Sequence, residues 1–429
     1  MTLTPEQMRV AAVQSLRYRQ PEQALRLADA LLVRDPRDME ALVTRSRALR
    51  DLGRYSEAID AARAAWDVAD APAERYGAAL VMAQALSSNG ARTRAQWWLR
   101  RAMEVAPTDA LEAKAVRDFR YVRARNPWST QLSFNISPSS NINDGSVHDT
   151  VNLGGLDGVV LSGTARALSG LEVSGGLSTR YRIDQSRTHK TEIGASLYHE
   201  TYILSDEARD QAPDAAGSDF AYSSVALTFG HELRPEGWSG PLAFSGMLAW
   251  SWYAGEPYAR SVSVGMARSL VLGKRNLVRV AVGAGRFRLV NGQEDHADSL
   301  RFDAVWLRRL ENGAGLRFSA GLRENMSDRS SLDYTRTALG VGYTFAEPIL
   351  GATATAGLDM AWKSHEAYPF TTDGRDDREV TAKVDLVFDD LDYMGFVPTM
   401  SLMHSDTRST SERHETVETG VSFGIRSRF

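Results

Sequence analysis

The sequence predicts a two-part chain: an α-helical repeat domain over residues 1–125, then a 14-stranded antiparallel outer-membrane β-barrel over residues 126–429. Three observations carry this. Apolar residues recur at helical spacing as far as residue 125 and at a spacing of two from Trp128 onward. The alternating segments often run about 11–14 residues, roughly twice the length of an average soluble strand. Their second face is rich in charge, which a soluble sandwich could not bury but a water-filled lumen can hold.

Composition narrows the field. The chain has 429 residues, 43% of them hydrophobic, and a mean hydropathy of −0.32, a soluble-looking average. No run of 18 apolar residues occurs, so no transmembrane helix is expected. Membrane passage would then need a closed barrel, the other structure that satisfies its backbone in lipid. The absence of cysteine excludes disulfides, thiolate metal sites and cysteine nucleophiles. Met1 to Arg9 has neither a basic start nor an apolar stretch, so the chain reads as a mature form with its export signal removed. Residues 1–125 hold 21 of the 50 basic and 16 of the 54 acidic residues, net +5, against −9 for the remainder.

The first part is repetitive. Ala24, Leu25, Ala28, Leu31 and Leu32 mark one amphipathic helix. Glu22-Gln23-Ala24-Leu25 returns 34 residues later as Ser56-Glu57-Ala58-Ile59, and Pro36, Pro72 and Pro107 recur at intervals of 36 and 35. Gly53 and Asn89-Gly90 mark turns between paired helices. A 34-residue period with a turn glycine, an alanine-rich second helix and a closing proline resembles the tetratricopeptide repeat. Units are expected at 4–36, 38–72 and 74–107, with a last helix at 109–125. Trp97 and Trp98 stand where smaller residues are usual. The resemblance implies a concave face that binds a peptide or protein segment, with Arg45, Arg47 and Arg94 as client-binding candidates. Read by themselves, these arginines are also ordinary solvated helix positions.

The second part alternates. Trp128, Thr130, Leu132, Phe134 and Ile136 form one face of the first strand. Leu242, Phe244, Leu248, Trp250 and Trp252 form one face of a later strand, and Leu316, Phe318, Ala320 and Leu322 of another. Strands are expected at 128–137, 170–183, 190–201, 219–232, 241–253, 259–270, 276–289, 298–310, 314–324, 332–345, 351–363, 378–389, 395–405 and 415–429. Candidate lumen-lining residues are Arg180, Arg279, Arg301, Asp303, Arg317, Arg323, Arg336, Asp359, Lys383 and Asp385, with Glu172 and Glu418 on the same face. Long connections, such as 138–169 and 202–218, alternate with short turns, such as Glu311-Asn312-Gly313; the 254–258 connection is the exception. Val159 to Arg166 also alternates. Counting it would give an odd number of strands, so it is expected to be a loop hairpin or an inward-folded plug. Trp128, Trp250, Trp252, Trp306, Tyr343 and Trp362 suit interfacial girdles, and the chain ends on Phe429, like many bacterial outer-membrane proteins.

A repeat domain joined to such a barrel, with Pro138-Ser139-Ser140-Asn141-Ile142-Asn143 after the first strand and Gly395-Phe396-Val397-Pro398 opening the thirteenth, resembles the surface lipoprotein assembly modifier (Slam) family. His404 departs from the aromatic that the family usually carries in that strand. The resemblance implies an outer-membrane protein translocator that moves a lipoprotein or a small secreted protein to the cell surface. The repeat domain, in the periplasm, would engage the client and the barrel would supply the route. It implies no catalytic residue and no cofactor. Its expected partners are the client, the barrel assembly machinery during biogenesis and outer-membrane lipid, with the barrel a monomer.

Two other classes compete. One is a substrate-selective porin or polysaccharide-export barrel whose repeat domain recruits partners. The other is a barrel enzyme, for which His199, His231 and His404 are available but share no spacing with a nucleophile and an acid. Acidic clusters at Asp206, Glu207 and Asp210, at Glu294, Asp295 and Asp298, and at Asp373, Asp376 and Asp377 lack the spacing of a calcium loop, so no metal is expected. Gly283-Ala284-Gly285 precedes no helix and is no nucleotide motif. The small, dispersed basic excess points away from nucleic acid.

Overall fold

The computed structural model describes residues 3–153, 156–290, 295–370, 373–391, 393 and 396–427. Glu294 of one acidic cluster, Gly395 of the second motif and the terminal Phe429 lie outside them. One compact unit is built from the helices up to Trp128, the other from the barrel that begins at Ser129.

The helical unit contains α1 (Pro5–Arg17), α2 (Pro21–Arg34), α3 (Met39–Asp51), α4 (Tyr55–Val68), α5 (Pro72–Ser88), α6 (Arg92–Glu104) and α7 (Asp109–Arg125). It is a TPR-like repeat of three helix pairs and a closing helix. Caps set the helix starts. Thr4 and Gln7 form a reciprocal capping box on α1, and the Asp38 and Thr108 side chains accept from the Ala41 and Leu111 amides. Proline occupies the first helical position of α1, α2 and α5, where its missing N–H costs nothing.

The second helix of each pair buries alanine: Ala24 and Ala28 in α2, Ala58, Ala61, Ala62 and Ala65 in α4, Ala95 and Ala102 in α6. Small side chains let the paired helices approach closely, and the next pair covers what each leaves exposed. Helix α5 is buried on most of its circumference, from Tyr76 to Leu86, and centres the core with Leu99, Phe119 and Val122. Trp66, Trp97 and Trp98 meet edge to face at 5.0 and 5.2 Å, and the Arg101 guanidinium lies within 5.2 Å of all three rings. The two large residues of the third unit thus close its outer side.

The turn inside each pair repeats one hydrogen-bond pattern. Gln20, Arg54 and Ala91 donate to the carbonyls of Ser15, Leu49 and Leu86, while Arg19, Gly53 and Gly90 donate to those of Leu16, Arg50 and Ser87. This is a Schellman motif, and it needs a left-handed residue. Gly53 and Gly90 take it at φ +76° and +81°, but Arg19 takes it at +57° with a side chain. Arg19→Gly should therefore raise the stability of the helical unit by about 1 kcal/mol, read as a higher midpoint in chemical denaturation. No change would mean that Arg19 makes a compensating contact.

The barrel strands and their insertions follow in order: β1 (Trp128–Ser139), β2 (Thr150–Leu153), β3 (Leu156–Val160), β4 (Gly170–Gln185), β5 (His189–Leu204), the short helix α8 (Asp206–Gln211), β6 (Tyr222–Leu233), β7 (Leu242–Tyr253), β8 (Glu256–Leu272), β9 (Asn276–Leu289), β10 (His296–Arg309), β11 (Gly315–Met326), β12 (Tyr334–Thr344), β13 (Thr353–His365), β14 (Arg375–Val387), β15 (Phe396–Ser409) and β16 (Thr416–Ser427). Strands β1 and β4–β16 close into a 14-stranded antiparallel barrel, while β2 and β3 pair only with each other inside the first loop. The alternation near Val159 is therefore a loop hairpin. The short connection after β7 is the two-residue turn Ala254-Gly255, both at positive φ, as a tight hairpin requires.

Register separates the faces. Phe302 faces Val282 and Leu322, and Leu339 faces Ala320 and Met360, all on the apolar outer face. Aromatic residues on that face gather near the two ends. Trp128, Trp306, Phe318, Tyr343 and Phe423 mark the end with short turns; Trp250, Trp252 and Trp362 mark the end with long loops. A closed barrel with an apolar outer band, two aromatic girdles and a charged interior is the architecture of an outer-membrane protein.

Candidate functional site

The inward face carries the charges. Register places Arg279, Arg301, Asp303, Arg317, Arg323, Arg336, Asp359, Lys383 and Asp385 on one face of β9–β14, and Arg180 with Glu172 on the same face of β4. Their distribution is uneven. Strands β9–β12 carry Arg279, Arg301, Arg317, Arg323 and Arg336. Arg301 meets Asp303 at 3.1 Å and Arg336 meets Glu379 at 3.3 Å, whereas Arg279, Arg317 and Arg323 have no ion pair among the described residues. Further round, Lys383 holds Asp385 at 3.0 Å. A recess of about 760 Å³ toward the turn end is lined by Arg317, Asp359, Lys383 and Asp385 together with Leu277 and Leu307. Across the barrel, Glu172, Glu200 and Glu418 lie near the loop end, the first two close to Tyr198 and Tyr202. A cationic wall thus faces an acidic, tyrosine-rich one.

Chain enters the loop end of the barrel. Residues 139–153 and 156–169 turn back from β1 toward the mouth. Ser139 donates to Glu418 at 2.9 Å, and Asp144 stands within electrostatic reach of Glu418, Glu379 and Tyr253, which face the lumen from β16, β14 and β7. Burial, reinforced by Glu379, pushes the Asp144 carboxyl above the usual carboxylate range. Asparagines organise this segment. Asn143 donates to the Thr164 and Arg166 carbonyls and accepts from the Leu168 amide, each at 2.9 Å; Asn141 clasps both backbone groups of Gly145. The Pro138 to Asn143 motif is therefore the hinge and core of a folded cap.

Two other loops complete it. Ile142 and Leu168 pack with Leu204, Ala208 and Ala212 on and beside α8, and Gln211 donates to the Gly163 and Ala167 carbonyls. From the last loop, Glu415 meets His148 at 2.7 Å and Glu412 accepts from Ser146 and Asn152. His414 accepts from or donates to the Tyr368 hydroxyl at 2.8 Å; burial, reinforced by Arg375, depresses its pKa to about 4.

The acidic clusters mostly engage arginines. Asp206 meets Arg209, Asp295 meets Arg329, Asp298 meets Arg286 and Asp377 meets Arg375. His199 and His231 lie at opposite ends of one strand pair, β5 and β6, and His404 lies on β15; each is bonded to a neighbouring hydroxyl, of Ser223, Thr191 and Thr419.

In the helical unit, α1 packs on α3 and α3 on α5, so these helices form the inner row of the repeat. Arg45 and Arg47 lie on α3; Arg94 lies on α6, exposed in the other row. Arg45 is held by Asp29 at 2.8 Å. Arg47 is largely buried without a hydrogen-bond partner among the described residues, and burial lowers its pKa. A cleft of about 230 Å³ lies between α3, α5 and α7, lined by Arg50, Gln84, Ser87, Asp118, Tyr121 and Val122. Arg50 donates to Gln84 at 2.6 Å, and Tyr121 is 58% exposed beneath Arg125. Arg50 and Gln84 are 34 residues apart, one repeat period, which is the sequence signal that could have found this cleft.

No family model matches the chain, and no curated protein matches it. Among solved structures, the type III secretion translocator chaperone SycD of Yersinia enterocolitica is similar to 28% of this chain over 83% of its own length, at 18% identity and a TM-score of 0.26. A BenF-like porin from Pseudomonas fluorescens Pf-5 is similar over 70% of this chain and 98% of its own, at 9% identity and a TM-score of 0.39. OccAB4 of Acinetobacter baumannii covers the same shares at 10% identity and a TM-score of 0.35. These are likenesses in the fold of each part.

Proposed function

We propose that the protein is an outer-membrane translocator that moves a lipoprotein or small secreted protein to the cell surface, in the manner implied by its resemblance to the surface lipoprotein assembly modifier family. The observation that supports this most is the folded cap. Three interlocked loops at the mouth fit a route that rests closed and opens only for its client. The long loops face outward and the short turns the periplasm. Both ends of the barrel chain lie at the turn end, so the helical domain is periplasmic. Its inner-row cleft, with Arg50, Gln84 and Tyr121, offers hydrogen bonds and an aromatic face to an extended segment of the client. The protein is neither an enzyme nor dependent on a cofactor, and it works as a monomer once the barrel assembly machinery has inserted it.

A second reading, a selective channel for anionic solutes, draws on Arg279, Arg317 and Arg323, which have no ion pair among the described residues. Deleting residues 1–125 separates the two. The translocator reading expects surface display of a co-expressed client to fall to background while the barrel stays assembled and heat-modifiable. Display at the undeleted level would sink it.

A further inference from the structure

Another recess in the lumen wall, of about 380 Å³, lies toward the loop end. Its floor is Gly283 and Gly285 on β9, where the missing side chains leave room. Arg301 and Ser299 of β10 stand directly opposite these glycines, with Arg323 and Asn325 of β11 beyond them. The Phe287 and Tyr334 rings complete the lining. Arg323 is inside a cationic row. Register sets Arg301 on one side of it and Arg336 on the other, with Lys363 next. Arg301 meets Asp303 at 3.1 Å and Arg336 meets Glu379 at 3.3 Å. Asp377, opposite Lys363, is engaged by Arg375 at 3.1 Å. Arg323 is exposed and has no ion pair among the described residues.

Like charges directly opposite one another destabilise a sheet, so an anion beside Arg323 relieves the row. Asn325 gives an independent sign. Its side-chain oxygen is buried without a hydrogen-bond partner among the described residues, which costs free energy until a donor reaches it. The recess therefore suits an anionic group with an N–H donor beside it. We infer that it holds an acidic side chain of an extended polypeptide, the carboxylate on Arg323 and a backbone N–H of the same segment on Asn325, after a small turn of that amide. The Phe287 and Tyr334 rings cover the aliphatic carbons of the segment. The recess is at the small end of ligand pockets, which suits one side chain better than a sugar oligomer. This deepens the proposed function, on which it rests: the client carries an acidic stretch.

The test is isothermal titration calorimetry of the full chain in detergent, with an end-blocked peptide of alternating aspartate and glycine. The expected result is binding of that peptide and about tenfold weaker binding of its asparagine counterpart. Arg323→Gln should weaken the aspartate peptide about tenfold, while Arg323→Lys keeps most of the affinity. Heat-modifiable mobility shows whether the variant barrel is folded. If Arg323→Gln is not, Ser299→Asp, which sets a like charge in the recess, carries the test with a loss of about tenfold. If the capped barrel admits no peptide, Gly145→Val, whose side chain would push the cap's backbone segments apart, supplies an open mouth; no binding there either overturns the inference. So does unchanged affinity in the folded variant, or an asparagine peptide that binds as tightly. Oligogalacturonate binding more tightly than the aspartate peptide assigns the recess to an acidic sugar and overturns it too. Peptide binding in detergent does not depend on transport. It can hold while surface display survives deletion of residues 1–125, and it can fail while display is lost.

Discussion

Phe302→Arg and Leu339→Arg should each destabilise the folded barrel by about 2–4 kcal/mol. Both residues sit near the middle of their strands, β10 and β12, on the outer face, and are 43% and 51% exposed. In water, such exposure would make substitution nearly neutral. In lipid it places a guanidinium in hydrocarbon. Phe302 lies directly opposite Val282 and Leu322, and Leu339 opposite Ala320 and Met360, so neither has an acid directly across from it. Leu386 is a weaker probe, because it is the penultimate residue of β14 and the cost falls to about 0–1 kcal/mol near an interface. Ser263→Arg, on the inward face of β8, serves as the control with an effect near zero. Denaturant unfolding from lipid vesicles measures all of these. Equal tolerance of the outer and inner arginines would mean that the outer face is not in lipid.

The second large effect concerns the cap. Asn143→Ala removes three hydrogen bonds to backbone groups on the far side of the loop and leaves those groups without their partner. At roughly 1 kcal/mol per net bond, the cap should lose about 2–3 kcal/mol of local stability. Gly145→Val acts by sterics. A Cβ there would overlap the Arg166 carbonyl, so the two backbone segments must separate. Hydrogen exchange of residues 141–169 should accelerate about 30–150-fold in Asn143→Ala, while the barrel strands keep their protection. Unchanged exchange in both variants would mean that the neighbouring loops alone hold the segment in the mouth.

The two periodicities made the architecture legible. Every barrel strand was expected within a few residues of its place, because the inward polar and outward apolar positions alternate without interruption in segments such as Leu316 to Leu322. The helix pairs were legible for a similar reason, since buried alanines such as Ala24 and Ala58 recur with the repeat. What escaped were contacts made across the chain. Asn143 looks like a turn residue, yet its partners lie more than 20 residues away. Arg19 hides the first repeat's turn, because it adopts a backbone that glycine usually marks. Arg94 reads as an equivalent of Arg45 only if the helix row is ignored; it is the third residue of a second helix. The open alternatives for residues 138–169 depended on long-range hydrogen bonds that no local pattern encodes.

A cap that closes the barrel until a client arrives is the central claim. Single-channel recording of the purified full-length protein in planar bilayers tests it most directly. A closed barrel with brief, flickering openings is the predicted result, and a large, stable, ion-conducting opening in the absence of any client would contradict it.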